Sequence, residues 1–208
     1  MQTKNRKQAA VFLDRDGTIN EEVGYLDRPE KLCLLPGAAR AIRLINESGM
    51  KAIVVTNQSG VARGFFDESM VAAIHERMQK ILEREGARID RFYYCPHHPT
   101  GGQGDYLQSC SCRKPTPGML LRAAEELDLS LDDSYIIGDT LKDIEAGARI
   151  GVRGVLVRTG YGEESAATLA ASGRETAAGT AICRPAYAAA DLEAAVRWII
   201  AGRGGERP

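Results

Sequence analysis

An α/β fold, with a doubly wound and mainly parallel sheet and helices on both faces, is predicted from three features of the chain. Short apolar runs alternate with helix-patterned stretches along nearly all of its 208 residues. Such alternation builds parallel strands joined by crossover helices. Several apolar runs also end abruptly in carboxylate, hydroxyl or amide residues. Open parallel sheets gather their chemistry beyond the carboxyl ends of the strands, which is where these polar residues fall. Finally, the length suits one domain with a substantial core, and neither a linker nor an internal repeat interrupts it.

Strands are expected at 9–13, 51–55, 91–95, 135–137 and 154–157, with a late short one near 181–183. Helices are expected at 37–48, 67–85, 117–127, 141–150, 163–172 and 189–200. Asp67 is a good N-cap, and Pro36 and Pro117 stand where helices readily begin. The Ala- and Ile-rich spacing along these helices is that of core packing. Segments 160–162 and 171–180 read as loops, 1–8 as a frayed basic tail and 202–208 as a flexible one, so that 1–208 is a single domain.

Composition narrows the class. With 27 Lys and Arg against 28 Asp and Glu, the net charge is -1, and no polybasic patch offers itself to nucleic acid. No apolar stretch approaches the roughly 20 residues of a membrane span. Residues 1–8 lack the apolar core of a secretory signal. A cytoplasmic monomer acting on a small molecule is expected, with no nucleic-acid or membrane partner. In that compartment the five cysteines stay free of disulfides.

The most informative stretch is Phe12-Leu13-Asp14-Arg15-Asp16-Gly17-Thr18-Ile19-Asn20, two carboxylates one residue apart where a buried strand ends. Buried carboxylates repel unless a cation or a shared proton lies between them. A divalent ion is the simplest resolution, leaving one carboxylate to attack and the other to move protons. Taken alone, such a pair is more simply read as an acidic turn capping a strand. Three further segments change the balance. Ile53-Val54-Val55-Thr56-Asn57-Gln58-Ser59-Gly60 brings a hydroxyl and turn N–H groups to a strand tip, where an anion can be held. Cys112-Arg113-Lys114-Pro115 sets a Lys just ahead of a proline, where it is either solvated or the fixed ammonium that a transferring phosphoryl group needs. Tyr135-Ile136-Ile137-Gly138-Asp139-Thr140-Leu141-Lys142-Asp143 ends a strand with Asp139 and Asp143 at helical spacing, both able to look toward one site.

The cysteines divide into two groups. Cys95-Pro96-His97 and Cys110-Ser111-Cys112 form two knuckles joined by a loop through Gly101, Gly102 and Gly104. Three thiolates and one imidazole make a closed tetrahedral set suited to structural Zn²⁺. His98 is the competing imidazole. Cys33 and Cys183 have no partner at ligand spacing and are expected to be small buried apolar residues.

In this order, the four segments resemble those of the haloacid dehalogenase superfamily of phosphohydrolases, over about 9–200. DRDGTIN, Gly24-Tyr25, TNQSGVARG and CPHHPTGG with CSCRKPTPGML sharpen the resemblance to its sugar bisphosphate phosphatases, with histidinol-phosphate phosphatases as near relatives. The resemblance implies a Mg²⁺-dependent phosphatase with no large cap domain, since neither usual insertion point has room for one. Asp14 would be the nucleophile and Asp16 the general acid and base, with Thr56 and Lys114 stabilising the transferring phosphoryl group. Mg²⁺ would take the Asp14 carboxylate, the Asp16 backbone carbonyl and the Asp139 carboxylate, with Asp143 orienting behind them. Zn²⁺ would take Cys95, His97, Cys110 and Cys112, which leaves His98 as an exposed neighbour.

Substrate contacts would come from Arg15, from the wall of Glu22, Val23, Gly24 and Tyr25, from Asn57, Gln58 and Ser59, and from Thr140. The zinc loop would overhang the site and fix Arg113 to grip a second phosphate bidentately. Arg63 could equally be a solvated charge. The resembled enzymes carry Lys directly after the motif-four Asp, whereas this chain has Thr140, and Lys142 is no assured substitute. Two other functions fit less well. A histidinol-phosphate phosphatase would have a shorter zinc loop and a cationic substrate that Arg113 opposes. A non-catalytic phosphosugar-binding protein would not need the Asp14–Asp16 pair.

Overall fold

The computed structural model describes residues 7–171 and 183–204. It contains β1 (Ala10–Leu13), α1 (Ala38–Glu47), β2 (Lys51–Asn57), α2 (Ser59–Ala62), α3 (Glu68–Arg84), β3 (Arg91–Cys95) and α4 (Gly118–Glu126). These are followed by β4 (Tyr135–Gly138), α5 (Leu141–Ala148), β5 (Arg153–Val157), α6 (Gly162–Ala171), β6 (Tyr187–Ala189) and α7 (Leu192–Arg203). The strands form one sheet in the order β3-β2-β1-β4-β5-β6, and every neighbouring pair is parallel. The predicted doubly wound α/β architecture is the observed one.

Strand alternation divides the core in two. Val11 and Leu13 of β1 face a layer of α1, α3 and α7 residues, among them Ile42, Met78 and Val196. Ala10 and Phe12 face the opposite layer, with Met119 and Leu120 of α4 and Ala146 of α5. Successive side chains on a strand point to opposite faces, so a central strand must be apolar at every position, and β1 is buried throughout. Ile144, Leu156 and Leu169 close a smaller cluster beneath α6. Among the described residues no helix is long and apolar enough to cross a membrane.

The topology places the chemistry. From β1 the chain moves outward through β2 to β3, then returns to set β4 on the other side of β1. The strand order therefore reverses between β1 and β4, the position where open sheets leave a crevice. Leu13, the last residue of β1, pairs with both Val54 and Ile137; β4 ends one residue beyond that level and β2 three residues beyond it, which carries Thr56 and Asn57 past the end of β1.

Some boundaries differ from expectation. The late strand is Tyr187–Ala189, beyond Pro185, with the Ala186 N–H donating to the Gly154 carbonyl. A proline offers no N–H to a ladder, which explains why pairing begins after it. Positions 181 and 182 lie outside the described residues, as does most of the 171–180 loop. Gln8, expected in a frayed tail, is held by main-chain bonds to Asp128 and Ser130 and by a side-chain bond to the Gly49 carbonyl at 2.7 Å. Helix α7 runs through Gly202 to Arg203, past the expected start of the tail. The short α2 and two 3-10 turns, Pro29–Lys31 and Gly104–Tyr106, are too brief for periodicity to reveal. Cys33 is exposed rather than buried, because it lies in the connection after the first 3-10 turn and outside the packed layers. Cys183 is partly buried, against the cluster under α6.

Candidate active site

Asp14 directly follows β1, its N–H bonded to the Ile137 carbonyl of β4 at 2.9 Å. Asp139 follows β4, and Asp143 lies in the first turn of α5. One carboxylate oxygen from each of these three residues can be chosen so that all lie within 4.8 Å of one another. Between the acids sits the Lys114 ammonium, 2.7 Å from Asp14 Oδ1, 2.6 Å from Asp143 Oδ1 and 2.7 Å from the Val55 carbonyl. Lys114 is only 3% exposed, and a buried ammonium is tolerated because these oxygens surround it.

The charge balance is unusual. Burial pushes Asp14 up to about 7; Lys114 pulls it back, while Asp143 and Asp16 add to the rise. Burial likewise raises Asp139 to about 8, reinforced by the Asp14 charge. Burial opposes the charge on Lys114, yet Asp14 and Asp143 more than compensate and raise its pKa. The carboxylates outnumber the cation, so the cluster holds negative charge in reserve.

Asp139 Oδ2 accepts from the Tyr161 N–H at 2.8 Å, whereas its Oδ1 is buried with no partner among the described residues. Two glycines make room for this carboxylate. A Cβ at Gly17 (φ +78°) or at Gly160 (φ +54°) would collide with Asp139 Oδ2, and both backbones lie in the left-handed region. Asp143 has its Oδ2 engaged by the Thr140 N–H and hydroxyl, at 3.1 and 2.6 Å, and its Oδ1 by Lys114.

Asp16 lies beside the cluster in a separate network. Arg15 Nη2 donates to its Oδ2 at 2.8 Å, Asn20 Nδ2 to its Oδ1 at 2.9 Å and Gln58 Nε2 to its Oδ2 at 3.0 Å. Burial acts to raise Asp16, but the Arg15 guanidinium and these bonds outweigh it and hold the group below the usual carboxylate range. Thr56, at the tip of β2, is 1% exposed and accepts from Gln58 Nε2 at 2.8 Å.

One cavity is lined by Asp14, Asp16, Thr56, Lys114, Asp139 and Asp143, with Glu22, Gly24, Tyr25, Asn57, Gln58, Ser59, Arg113 and Thr140 around them. The structure thus brings together nearly all the predicted site residues. Arg15 departs from the expectation: it is 1% exposed, and its guanidinium is turned onto Asp16 and Gln58 and away from the cavity. Val23 is 48% exposed and lies outside the lining, because the turn at Gly24 directs it to solvent. Asn57 and Gln58 line the cavity, but both polar atoms of each side chain are already bonded to protein groups. The Thr140 hydroxyl proton is similarly committed to Asp143. Leu26, Lys142 and Tyr161 also line the cavity and were not anticipated as contacts. The part Tyr161 plays is a main-chain N–H, for which no residue type gives a signal.

Beside the cavity the loop after β3 gathers a second cluster. Donor atoms of Cys95, His97, Cys110 and Cys112 lie within 4.8 Å of one another, with sulfur–sulfur separations of 3.1 to 3.5 Å and no disulfide. Soft thiolates with one imidazole fit a tetrahedral zinc site, while the all-oxygen acidic cluster with its unpartnered Asp139 Oδ1 fits a hard divalent cation. His98 is half-buried, not exposed, because its Nδ1 accepts from the Gly101 N–H at 2.8 Å and closes the turn after the first knuckle. Glu68, which the sequence reading missed, accepts from the hydroxyls of Tyr94 and Tyr106 at 2.6 and 2.7 Å and pins the loop to α3. Arg113 leaves the second knuckle toward the cavity rim, donating from Nη1 to the His97 carbonyl at 3.1 Å.

A parallel sheet with an Asp14–Lys114–Asp139 cluster at its switch point defines the class. The haloacid dehalogenase-like hydrolase family matches residues 2–151, and an overlapping HAD-hydrolase-like family matches 111–195. The chain belongs to the haloacid dehalogenase-like hydrolases. More particularly, it is 42% identical over 194 residues to the D-glycero-D-manno-heptose-1,7-bisphosphate 7-phosphatase of Thermosynechococcus vestitus, covering 91% of this chain and 94% of that one. The corresponding β-anomer enzyme of Escherichia coli (strain K12) is 44% identical over 153 residues, covering 73% of this chain and 80% of the relative. Among solved structures, the D,D-heptose 1,7-bisphosphate phosphatase of B. bronchiseptica, complexed with magnesium and phosphate, superposes with a TM-score of 0.78 at 33% identity. That match covers 94% of this chain and 99% of the other.

Proposed function

We propose that this hydrolase removes the 7-phosphate of D-glycero-D-manno-heptose 1,7-bisphosphate, leaving heptose 1-phosphate for nucleotide-activated heptose. Such heptose is a precursor of lipopolysaccharide core or of glycoprotein and S-layer glycans. The observation that carries the reading is the Asp14–Lys114–Asp139 cluster opening onto a cavity whose rim bears Arg113. Full-length similarity to heptose bisphosphate phosphatases supports the choice of substrate.

The chemistry takes two steps. An Asp14 carboxylate oxygen attacks the 7-phosphorus as the bond to the C7 oxygen breaks, giving an aspartyl-phosphate, and Asp16 gives its proton to the departing alkoxide. Water then attacks the aspartyl-phosphate, Asp16 takes the water's proton, and inorganic phosphate leaves with the Asp14 carboxylate restored. The bonds from Arg15, Asn20 and Gln58 favour the ionised Asp16 that the second step needs. A dianionic phosphoryl group arriving beside it raises its proton affinity for the first. Thr56 and Lys114 receive charge on the non-bridging oxygens in both transition states.

The carboxylates of Asp14 and Asp139 and the Asp16 carbonyl would hold Mg²⁺, which would neutralise charge on the phosphoryl group. Asp143 orients Lys114 from behind. Cys95, His97, Cys110 and Cys112 would hold Zn²⁺, which would fix the loop that carries Arg113. The half-buried Arg113 guanidinium, with Lys142 also lining the cavity, disfavours a cationic histidinol phosphate. The test is magnesium-dependent phosphate release from the heptose bisphosphate, both anomers, against histidinol phosphate. Preference for the latter overturns the assignment, and no release from any ester overturns the phosphatase reading.

A further inference from the structure

We propose that Asn57 is a positioning residue that keeps the Lys114 ammonium in register with the Asp14 carboxylate by pairing its side-chain amide with the Lys114 main chain. Asn57 Nδ2 donates to the Lys114 carbonyl at 3.0 Å, and the Lys114 N–H donates to Asn57 Oδ1 at 3.0 Å. Donor and acceptor on one planar amide thus meet acceptor and donor on one residue, the reciprocal pairing that adjacent strands make. This inference rests on the phosphoryl-stabilising part given to Lys114 above.

The segment around Lys114 needs such a partner. Residues 113–116 belong to no strand or helix, so no ladder fixes their height relative to the sheet. Their own turn bond, from the Thr116 N–H to the Arg113 carbonyl, closes the loop without tying it to β2. Asn57 is the last residue of β2, paired in register with Cys95 of β3, and is therefore anchored on a rigid element. Two residues earlier on the same strand, the Val55 carbonyl accepts from Lys114 Nζ at 2.7 Å. Strand β2 grips Lys114 at both ends, the main chain through Asn57 and the ammonium through Val55. Errors of about 1 Å in a catalytic group cost large factors in rate, and a lysine has a long flexible stem over which to lose its aim. The neighbouring Gln58 ties Thr56 to Asp16 by donating from Nε2 to a side-chain oxygen of each. A substrate-binding part for the Asn57 amide would require it to abandon Lys114.

The experiment compares wild type, Asn57→Ala, Asn57→Asp, Lys114→Ala and the double variant Asn57→Ala/Lys114→Ala. Substrates are the heptose bisphosphate and p-nitrophenyl phosphate, and circular dichroism and bound zinc are monitored in parallel. A positioning residue predicts that Asn57→Ala lowers kcat roughly 10- to 100-fold on both substrates, with KM changed less than about threefold. Asn57→Asp keeps the acceptor, loses the donor, and should fall between. On the Lys114→Ala background, Asn57→Ala should cost less than about twofold more, because the group it positions is gone. A rise in KM confined to the heptose bisphosphate, or fully multiplicative losses in the double variant, overturns the proposal. Should Asn57→Ala fail to fold, Asn57→Asp carries the same kinetic comparison. An inactive wild type refutes the phosphatase reading instead. The clamp is then read from a crystal structure of the Asn57 variant, where Lys114 Nζ still within 3 Å of Asp14 Oδ1 overturns it.

Discussion

Replacing Arg113 by alanine tests whether the zinc loop recognises substrate or only completes the fold. The guanidinium lies at the cavity rim, half-buried, with one N–H given to the His97 carbonyl and no ion-pair partner among the described residues. Its other N–H groups remain for a second phosphate. A charge-assisted bond is worth about 1.5 to 3 kcal/mol when shielded, and partial exposure at the rim favours the middle of that range. Loss of about 2 kcal/mol corresponds to roughly a thirtyfold fall in kcat/KM, at about 1.4 kcal/mol per tenfold. Because the second phosphate is not the one cleaved, the loss should appear mainly in KM. A one-phosphate ester such as p-nitrophenyl phosphate should change less than about threefold. The assay is continuous phosphate release with both substrates on one enzyme preparation, its zinc content confirmed. Equal losses on both would show that Arg113 serves the cleavage step or loop stability, and the bisphosphate assignment would lose its main physical support.

Other perturbations separate the remaining parts. Asp14→Asn should retain the fold and lose at least about ten-thousandfold in kcat, as removal of a nucleophile does; substantial residual turnover, or a beryllofluoride adduct elsewhere, would refute attack by Asp14. Cys110→Ser should release zinc, measured by elemental analysis, and harm the bisphosphate more than p-nitrophenyl phosphate; a uniform loss would assign the loop to global stability. His75, buried and stacked on Phe92 at 4.6 Å, is pushed down to about 3 by burial first and then by Arg15. The unfolded chain takes up a proton there below about 6.5 and the folded chain does so only near 3, so stability should fall as pH drops through that window, by about 1.4 kcal/mol per unit. His75→Phe should remove that one-proton slope from urea unfolding between about pH 6 and 4; identical slopes in the two proteins would show that His75 is not the group responsible.

The large features were legible because they follow from composition at a coarse scale. A central strand that is apolar at every position, as in Ala10–Leu13, announces burial on both faces, and a carboxylate straight after it announces a site. The Cys95, His97, Cys110 and Cys112 cluster was visible for the same reason, since two knuckles of tight local spacing suit a tetrahedral metal site. What escaped was direction. Arg15, Asn57 and Gln58 have the residue types of ligand contacts, and only tertiary packing turns the Arg15 guanidinium inward and commits both amides to protein partners. The Tyr161 N–H could not be foreseen, since any residue but proline supplies one. Strand β6, Tyr187–Ala189, was not anticipated, since only its last residue is buried and it carries no apolar run.

The same division shows how this site accommodates so much buried charge. Asp14, Asp139 and Asp143 repel one another, and Lys114 alone does not neutralise them. The partners of Asp14 are therefore fixed from outside the cavity: Asp139 by a main-chain N–H and two glycines, Asp143 by the Thr140 cap, and Lys114 by Asn57 and Val55. Rigid supports hold like charges close without letting them relax apart, and a cation entering the crevice relieves the repulsion. Softening any one support, at Gly17 or Asn57 for instance, should weaken catalysis even where every acid and the lysine are retained. Preorganisation, and not the inventory of acids, is what this end of the sheet supplies.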